Sequence, residues 1–241
     1  MKITILTLFP TMFKGPFDQS IIKNAIDKDL FEIEFVDIRN WGIGKHKMVD
    51  DTEYGGGIGM VLKVDVLHQA IEKSKINPPA GEAGNQKSKI QEKVVLLSAT
   101  GKAYNQAKAQ EFSKLDHLIL ICGHYEGVDE RVKKYIDEEI SVGDFVLTGG
   151  EIPAMMIADS IARLIPGVLP RGATENESFS EIDQQTLLEY PHYTKPRIYN
   201  ENQVPEVLLS GNHPEIEKWR KNKSLEVTKK LRPDLLKKRN G

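Results

Sequence analysis

The sequence predicts an α/β protein: a parallel sheet covered on both faces by helices, followed by a smaller helical part. Three observations predict it. Short apolar stretches rich in β-branched residues recur through the first 165 residues and have the length of buried strands. Amphipathic runs of helical period lie between them. Beyond about residue 166 the pattern lapses, then resumes as a Lys- and Arg-rich helical stretch.

The strand candidates are ITILTLF (3–9), EIEFVDI (32–38), VVLLS (94–98) and HLILICG (117–123). Each is bounded by polar or glycine-containing segments. The helix candidates between them are residues 19–28, 66–74 and 105–114. Residues 77–92, NPPAGEAGNQKSKIQE, read as a polar, mobile connector. PAMMIADSIARLIP, from Pro153, has proline at a helix start and apolar residues at helical spacing, and it stops before Pro166. Residues 166–185 are glycine-, proline- and carboxylate-containing and read as a flexible interdomain linker. Residues 186–241 read as a small helical domain. Its main helix is capped near Asn212, has Pro214 in its first turn, and carries Ile216, Trp219 and Lys223 on one face. The first domain then spans residues 1–165.

Composition narrows the function. Of 241 residues, 39% are hydrophobic and 28% charged, as in an ordinary folded domain. No apolar run approaches the ~18 residues needed to cross a bilayer, so no membrane role is expected. MKITILTLFP is short in its apolar part for a signal peptide and alternates like a strand. A single cysteine, Cys122, excludes an internal disulfide and a multi-cysteine zinc site, which fits a reducing cytoplasm. Inside an apolar strand it reads as a small buried hydrophobe more readily than as a nucleophile. Histidines 46, 68, 117, 124, 192 and 213 lack metal-ligand spacing. The net charge of −2 hides an asymmetry. Residues 186–241 hold 12 Lys+Arg against 7 Asp+Glu, and the other 185 residues hold 21 against 28. A basic segment on an acidic body suits a polyanion partner, or is a solvated helix face.

The densest signal is VDDTEYGGGIGM, residues 49–60, with glycines at 55, 56, 57 and 59. So much bare backbone is costly to order. A phosphate loop would need Lys-Ser/Thr after the glycines, and Met60-Val61 stands there. A dinucleotide fingerprint would need glycine where Met60 is. A surface turn and a loop that approaches a flat ligand both remain. Three further motifs end apolar stretches in glycine: LLSATG (96–101), ICGHYEGVDERV (121–132) and ISVGDFVLTGGEIPAM (140–155). Each alone is a turn. Together, at the carboxyl ends of strands in one sheet, they could form a pocket of main-chain groups for a ligand such as an adenosine.

EYGGGIGM, CGHYEGVDERV, SVGDFVLTGGE, DSIARLIPGVL, ESF (177–179), YPHYTKP (190–196) and LLSGNHPEIEKWR (208–220) occur in this order. Together they resemble the bacterial tRNA (guanine-N1)-methyltransferases, the TrmD family of the SPOUT class, over nearly the whole chain. The resemblance implies a trefoil-knotted first domain, a helical tRNA-binding second domain, and a homodimer whose active sites use both subunits. It implies S-adenosylmethionine as cofactor, a magnesium dependence whose site nothing in the sequence locates, and guanine 37 of tRNA as target. The implied cofactor site comprises Leu97, Ser98 and Gly101, then Gly123, Tyr125 and Glu126, then Val142, Gly143, Asp144, Phe145, Val146, Leu147, Gly149, Gly150 and Pro153. The implied catalytic pair is Arg163 and Glu177, with Gly55, Gly56, Gly57 and Gly59 at the target guanine and His46 and Asp50 beside them. Lys218, Arg220, Lys221 and Lys223 are the candidates for gripping phosphates.

Two positions depart from the family's pattern. Glu177 stands where aspartate is usual, with Glu175 two residues away, and His124 stands where some relatives have arginine. The alternatives are a SPOUT enzyme for another RNA, a non-catalytic RNA-binding module, and a nucleotide hydrolase that the missing phosphate-loop lysine disfavours.

Overall fold

The computed structural model describes residues 1–76, 90–182 and 185–236. Most of the connector expected at 77–92 lies outside them. The chain divides into two units, Met1–Leu169 and Pro170–Gly241.

The first unit is built on five parallel strands: β1 (Lys2–Thr7), β2 (Glu32–Asp37), β5 (Glu92–Ala103), β6 (His117–Cys122) and β7 (Glu138–Ser141), in the order β2-β1-β6-β5-β7. All four stretches singled out in the sequence are here. β7 is a fifth that the glycine-broken segment 140–155 concealed. A two-residue hairpin, β3 (Asp50–Asp51) with β4 (Val61–Leu62), stands apart from the sheet.

Alternation sorts the sheet into two cores, because successive side chains leave opposite faces. Ile3, Ile5, Leu118, Leu120, Cys122, Val95 and Leu97 point to one face. There they meet α1 (Ser20–Asp27), α3 (Gln106–Phe112) and α4 (Glu151–Ala162). Leu6, Ile119, Ile121, Val94 and Leu96 point to the other and meet α2 (Val64–Ser74) through Val66, Leu67, Ala70 and Ile71. α4 buries Ala154, Ile157, Ala158, Ile161 and Ala162. Its small residues let it lie close to the sheet, and Ile157→Ala would cost about 2–5 kcal/mol.

β5 does not run straight. Its pairing with β7 shifts register between Leu97 and Lys102. A Cβ on Gly101 would stand 2.5 Å from the Ile140 main chain. Only glycine lets the two backbones pass so closely. The residues thrown out between, Ser98 to Thr100, form a loop pinned by Ser98 Oγ to Thr100 Oγ1 (2.8 Å) and by Thr100 Oγ1 donating to Glu139 Oε2 (2.9 Å).

The second unit begins with a chain of turns. Ala173 N donates to Pro170 O, Glu175 N to Gly172 O, and Ser180 N to Glu177 O. The stretch expected as a linker thus straddles the division between the units. Two hairpins the sequence did not suggest follow, β8 (Ser180–Ile182) with β9 (Gln185–Leu187) and β10 (Ile198–Tyr199) with β11 (Asn202–Gln203). Then come α5 (Glu206–Leu209) and α6 (His213–Leu231). α6 buries Ile216, Ser224 and Thr228, one stripe at helical spacing. Thr228 Oγ1 ties it to the unit by accepting from Leu188 N at 2.8 Å.

Candidate functional site

The strand-end loops of β5, β6 and β7 converge on a cavity of 350 Å³. Of the cofactor residues named from the sequence, Leu97, Ser98, Gly123, Tyr125, Glu126, Val142, Gly143, Phe145, Val146, Leu147, Gly149, Gly150 and Pro153 line it. Gly101 and Asp144 do not. Gly101 instead permits the β5–β7 approach described above, and Asp144 is exposed. Lining residues that the sequence reading passed over include Thr100, Val128, Thr148 and His124. Of these, His124 alone was singled out in the sequence, as a departure from the resemblance.

The walls are largely backbone because side chains are excluded from them. A Cβ on Gly150 would lie 2.6 Å from the Cys122 Cα, and Gly150 N donates to Gly123 O at 2.8 Å. A Cβ on Gly149 would collide with His124 Nδ1 at 2.6 Å and Glu151 Oε2 at 2.4 Å. Gly143 has φ +154 and accepts at its carbonyl from Ser141 Oγ (3.1 Å). Tyr125 sits at φ +60, which is uncommon for a bulky residue and typical of ligand clamps. Cys122 behind the wall is buried. Burial first, then the Glu151 charge, push its thiol well above the usual range, so it is no nucleophile at neutral pH.

The glycine-rich loop is the tip of the β3–β4 hairpin, and its base is sewn to the turn after β6. Leu62 N donates to Gly127 O, Asp129 N to Leu62 O, and Glu126 N to Met60 O, at 3.0 to 3.1 Å. Tyr125 also reaches Asp50. Burial, then the Asp50 charge and a hydrogen bond to it, raise the phenol's pKa. Gly55, Gly56 and Gly59 all have positive φ, at +95, +79 and +125. Tyr54 and Ile58 beside them are fully open to solvent, at 101% and 96%. The loop therefore presents bare backbone and two unburied apolar side chains next to the rim. His46 lies in the exposed turn closed by Ile43 and Met48, outside the cavity lining.

Arg163 ends α4 in the first unit, half-buried, its N–H donating to Asp159 O and Ile161 O. Glu177 belongs to the second unit. It is half-buried, with its carbonyl accepting from Ser180 N, while Glu175 is exposed. On α6, Lys218 and Lys221 are exposed. Arg220 instead lies 5.0 Å over the Tyr190 ring with Nη1 on Glu217 (2.6 Å), and Lys223 pairs with Glu226 (2.6 Å). Among the described residues, no three His, Cys, Asp or Glu side chains are grouped to hold a metal ion, and no helix is long and apolar enough to cross a membrane.

A parallel sheet whose strand-end loops enclose a main-chain cavity defines an α/β protein that binds its ligand beyond the carboxyl ends of its strands. The family model described as tRNA (Guanine-1)-methyltransferase TrmD matches residues 1–238, and the chain belongs to that family. Among its relatives is a protein of Clostridium beijerinckii, 51% identical over 239 residues, covering 99% of this chain and 93% of its own. One of Dictyoglomus turgidum is 50% identical, covering 99% and 91%. A third, of Endomicrobium trichonymphae, is 46% identical, covering 99% and 100%. All three are named tRNA (guanine-N(1)-)-methyltransferase.

Proposed function

We propose that this chain transfers a methyl group from S-adenosylmethionine to N1 of guanine 37 in tRNA. The observation that carries the reading is the junction of two features in a chain of this family. One is a main-chain cavity at the strand ends, and the other is the glycine hairpin hydrogen-bonded to its rim.

The cavity suits the cofactor. Its volume lies at the small end of ligand pockets, about 300–1,000 Å³. Glycines at 123, 149 and 150 keep side chains out of the wall, so that main-chain atoms line it for a purine and ribose. Leu97, Val142, Leu147 and Pro153 supply apolar cover. Leu97, Gly123, Val142, Gly143, Phe145 to Leu147 and Gly149–Gly150 would hold the nucleoside, with Tyr125 and Glu126 at the hairpin side.

Guanine N1 carries a proton at neutral pH, so its electron pair becomes available only when that proton leaves. Glu177 takes it as general base. Negative charge then spreads to O6, where the Arg163 guanidinium offers fixed donors. When bound, the cofactor supplies an electrophilic methyl group on a sulfonium to that electron pair. The target base leaves the anticodon-loop stack, at less cost than opening a duplex. Gly55, Gly56, Gly57 and Gly59 bring backbone against it, with Asp50 and His46 nearby. Lys218, Arg220, Lys221 and Lys223 belong to the surface that meets phosphates.

The same reading includes the family's trefoil knot, a linker at 166–185 between domains 1–165 and 186–241, and a cytoplasmic setting. It also includes a homodimer that shares its active sites. The exposed apolar side chains Phe145, Val146, Ile152 and Met156 support a second copy packing there. A magnesium dependence belongs to the same reading.

The test is methyl transfer to tRNA transcripts that differ only in guanine or adenine at position 37. Transfer to the guanine transcript alone, with 1-methylguanosine recovered on digestion, is the expected result. Equal transfer to both would overturn the position, and no transfer the activity.

A further inference from the structure

The hydrogen bonds behind one wall of the cavity all point the same way. Ser98 and Thr100 line the cavity, and Glu139 of β7 stands behind them. Thr100 Oγ1 lies 2.9 Å from Glu139 Oε2 and 2.8 Å from Ser98 Oγ, and Thr100 N donates to Ser98 Oγ at 3.2 Å. An ionised carboxylate only accepts, and a hydroxyl has one hydrogen and two lone pairs. Thr100 therefore spends its hydrogen on Glu139 and has none left for Ser98. The hydrogen between the two hydroxyls must come from Ser98. Having given that hydrogen and accepted from Thr100 N, Ser98 Oγ keeps a single lone pair.

Glu139 is itself held in place. Its Oε1 pairs at 3.0 Å with Lys133 on the short 3-10 turn Glu130–Tyr135, and Lys133 also reaches Glu130 at 3.0 Å. The neighbouring carboxylate cannot take over this role. Successive strand residues leave opposite faces, and Glu138 is occupied by Lys93 and Lys108, each at 3.1 Å. As a prop for stability the Lys133–Glu139 pair is worth little, since the lysine is 39% exposed. Its consequence is the direction in which two hydroxyls point.

We propose that Glu139 and Thr100 are positioning residues that fix Ser98 as a pure hydrogen-bond acceptor toward the cavity. A donor on the bound cofactor is taken there, whether ammonium, ribose hydroxyl or purine amine, and its carboxylate is turned away. Neither Glu139 nor Thr100 touches a reacting atom, and both act through Ser98. The inference rests on the cofactor assignment made above.

The test is binding of S-adenosylmethionine, read by titration calorimetry on the full chain without tRNA. Thr100→Val keeps the shape and removes the hydroxyl, which frees the Ser98 hydrogen to enter the cavity. Glu139→Gln reverses the chain by another route. Lys133 holds the amide oxygen, so the amide nitrogen faces Thr100 and donates to it. Thr100 then donates to Ser98, and Ser98 becomes a donor. Each variant, and Ser98→Ala, should raise Kd about three- to tenfold, the worth of one hydrogen bond. Thr100→Ser restores the hydroxyl and should bind within about twofold of the parent. In a Ser98→Ala background, Thr100→Val and Glu139→Gln should cost nothing further, because all three remove one interaction. That non-additivity separates control of Ser98 from a general loosening of the loop, and Thr100→Val keeps the test open if Glu139→Gln folds poorly. Parent-like binding by Ser98→Ala or Thr100→Val, no rescue by Thr100→Ser, or multiplicative losses in the double variants would overturn the proposal. A parent chain that binds no S-adenosylmethionine would overturn the cofactor assignment as well, which distinguishes the two failures.

Discussion

Glu126 fills the space that Gly59 leaves empty. A Cβ on Gly59 would stand 2.6 Å from Glu126 Cγ and 2.8 Å from Oε1. Glu126 lines the cavity and Gly59 belongs to the hairpin tip, so this contact is one of those that join the two halves of the proposed site. Gly59→Ala must displace Glu126 and also hold alanine at φ +125, which L side chains rarely adopt. Steady-state kinetics should show kcat/KM for tRNA falling by about 10- to 100-fold, of the order of 1.4–2.8 kcal/mol. The dissociation constant for S-adenosylmethionine should move far less. A loss confined to cofactor binding would show that the contact serves the cavity alone.

Glu177 is one methylene longer than the aspartate that the resemblance leads one to expect there. Glu177→Gln keeps the size and removes the basicity, so single-turnover methylation should fall by roughly 10²–10⁴. Glu177→Asp should keep most of the activity. Arg163→Ala should cost a comparable factor by leaving the O6 charge unsupported. Should Glu175→Gln be inactive while Glu177→Gln is near the parent, the base is the exposed carboxylate two residues earlier.

The four phosphate candidates on α6 divide into two kinds. Lys218 and Lys221 are exposed, whereas Arg220 covers the Tyr190 ring. Neutralising Lys218 and Lys221 together should reduce the slope of log affinity for tRNA against log salt by about 1–2, with the rate at saturating tRNA little changed. Arg220→Ala should lower the melting temperature of the second unit, through lost packing on Tyr190. An unchanged salt slope in the Lys218/Lys221 variant would make this helix a solvated face.

Hydrogen bonds from Lys108 and then Lys93 hold the Glu111 carboxyl down to about 2, against an ordinary 4.5. The folded value lies below the unfolded one, so the unfolded chain binds more protons in this range. The stabilisation is complete above pH 4.5 and is lost as pH falls toward 2. The side chain is 44% exposed, so solvent screening limits the effect to ~1 kcal/mol or less. Urea denaturation of Glu111→Gln should show a deficit at pH 7 that closes below pH 3. A deficit independent of pH would mean that the group acts by packing.

Much of the fold was legible because buried parallel strands have a plain signature. Runs such as HLILIC need no context to be read. β7 was not legible, since it reads EEIS, with one apolar residue in four and two carboxylates. The hairpins β8–β9 and β10–β11 escaped because two- and three-residue strands are too short to show alternation. In the site, Gly123, Gly143, Gly149 and Gly150 line the cavity, yet Gly101 belongs to a close passage of two backbones. The sequence gives a glycine's permissiveness and is silent on what approaches it. Glu151 escaped for the opposite reason. A glutamate after two glycines reads as a solvated helix start, and only the folded sheet brings Thr7, 144 residues away, to its carboxylate.

Cys122 has one more use. It is the chain's only thiol, it is 0% exposed, and its Cα backs directly on Gly150. An alkylating reagent can therefore modify only those molecules in which the helices over that face of the sheet have lifted. Labelling kinetics become a native stopwatch for that opening, with no engineered probe and no competing site. Whatever tightens the wall at Gly150 lengthens the interval, so occupancy of the cavity can be timed from the far side of the sheet by a residue that no ligand touches.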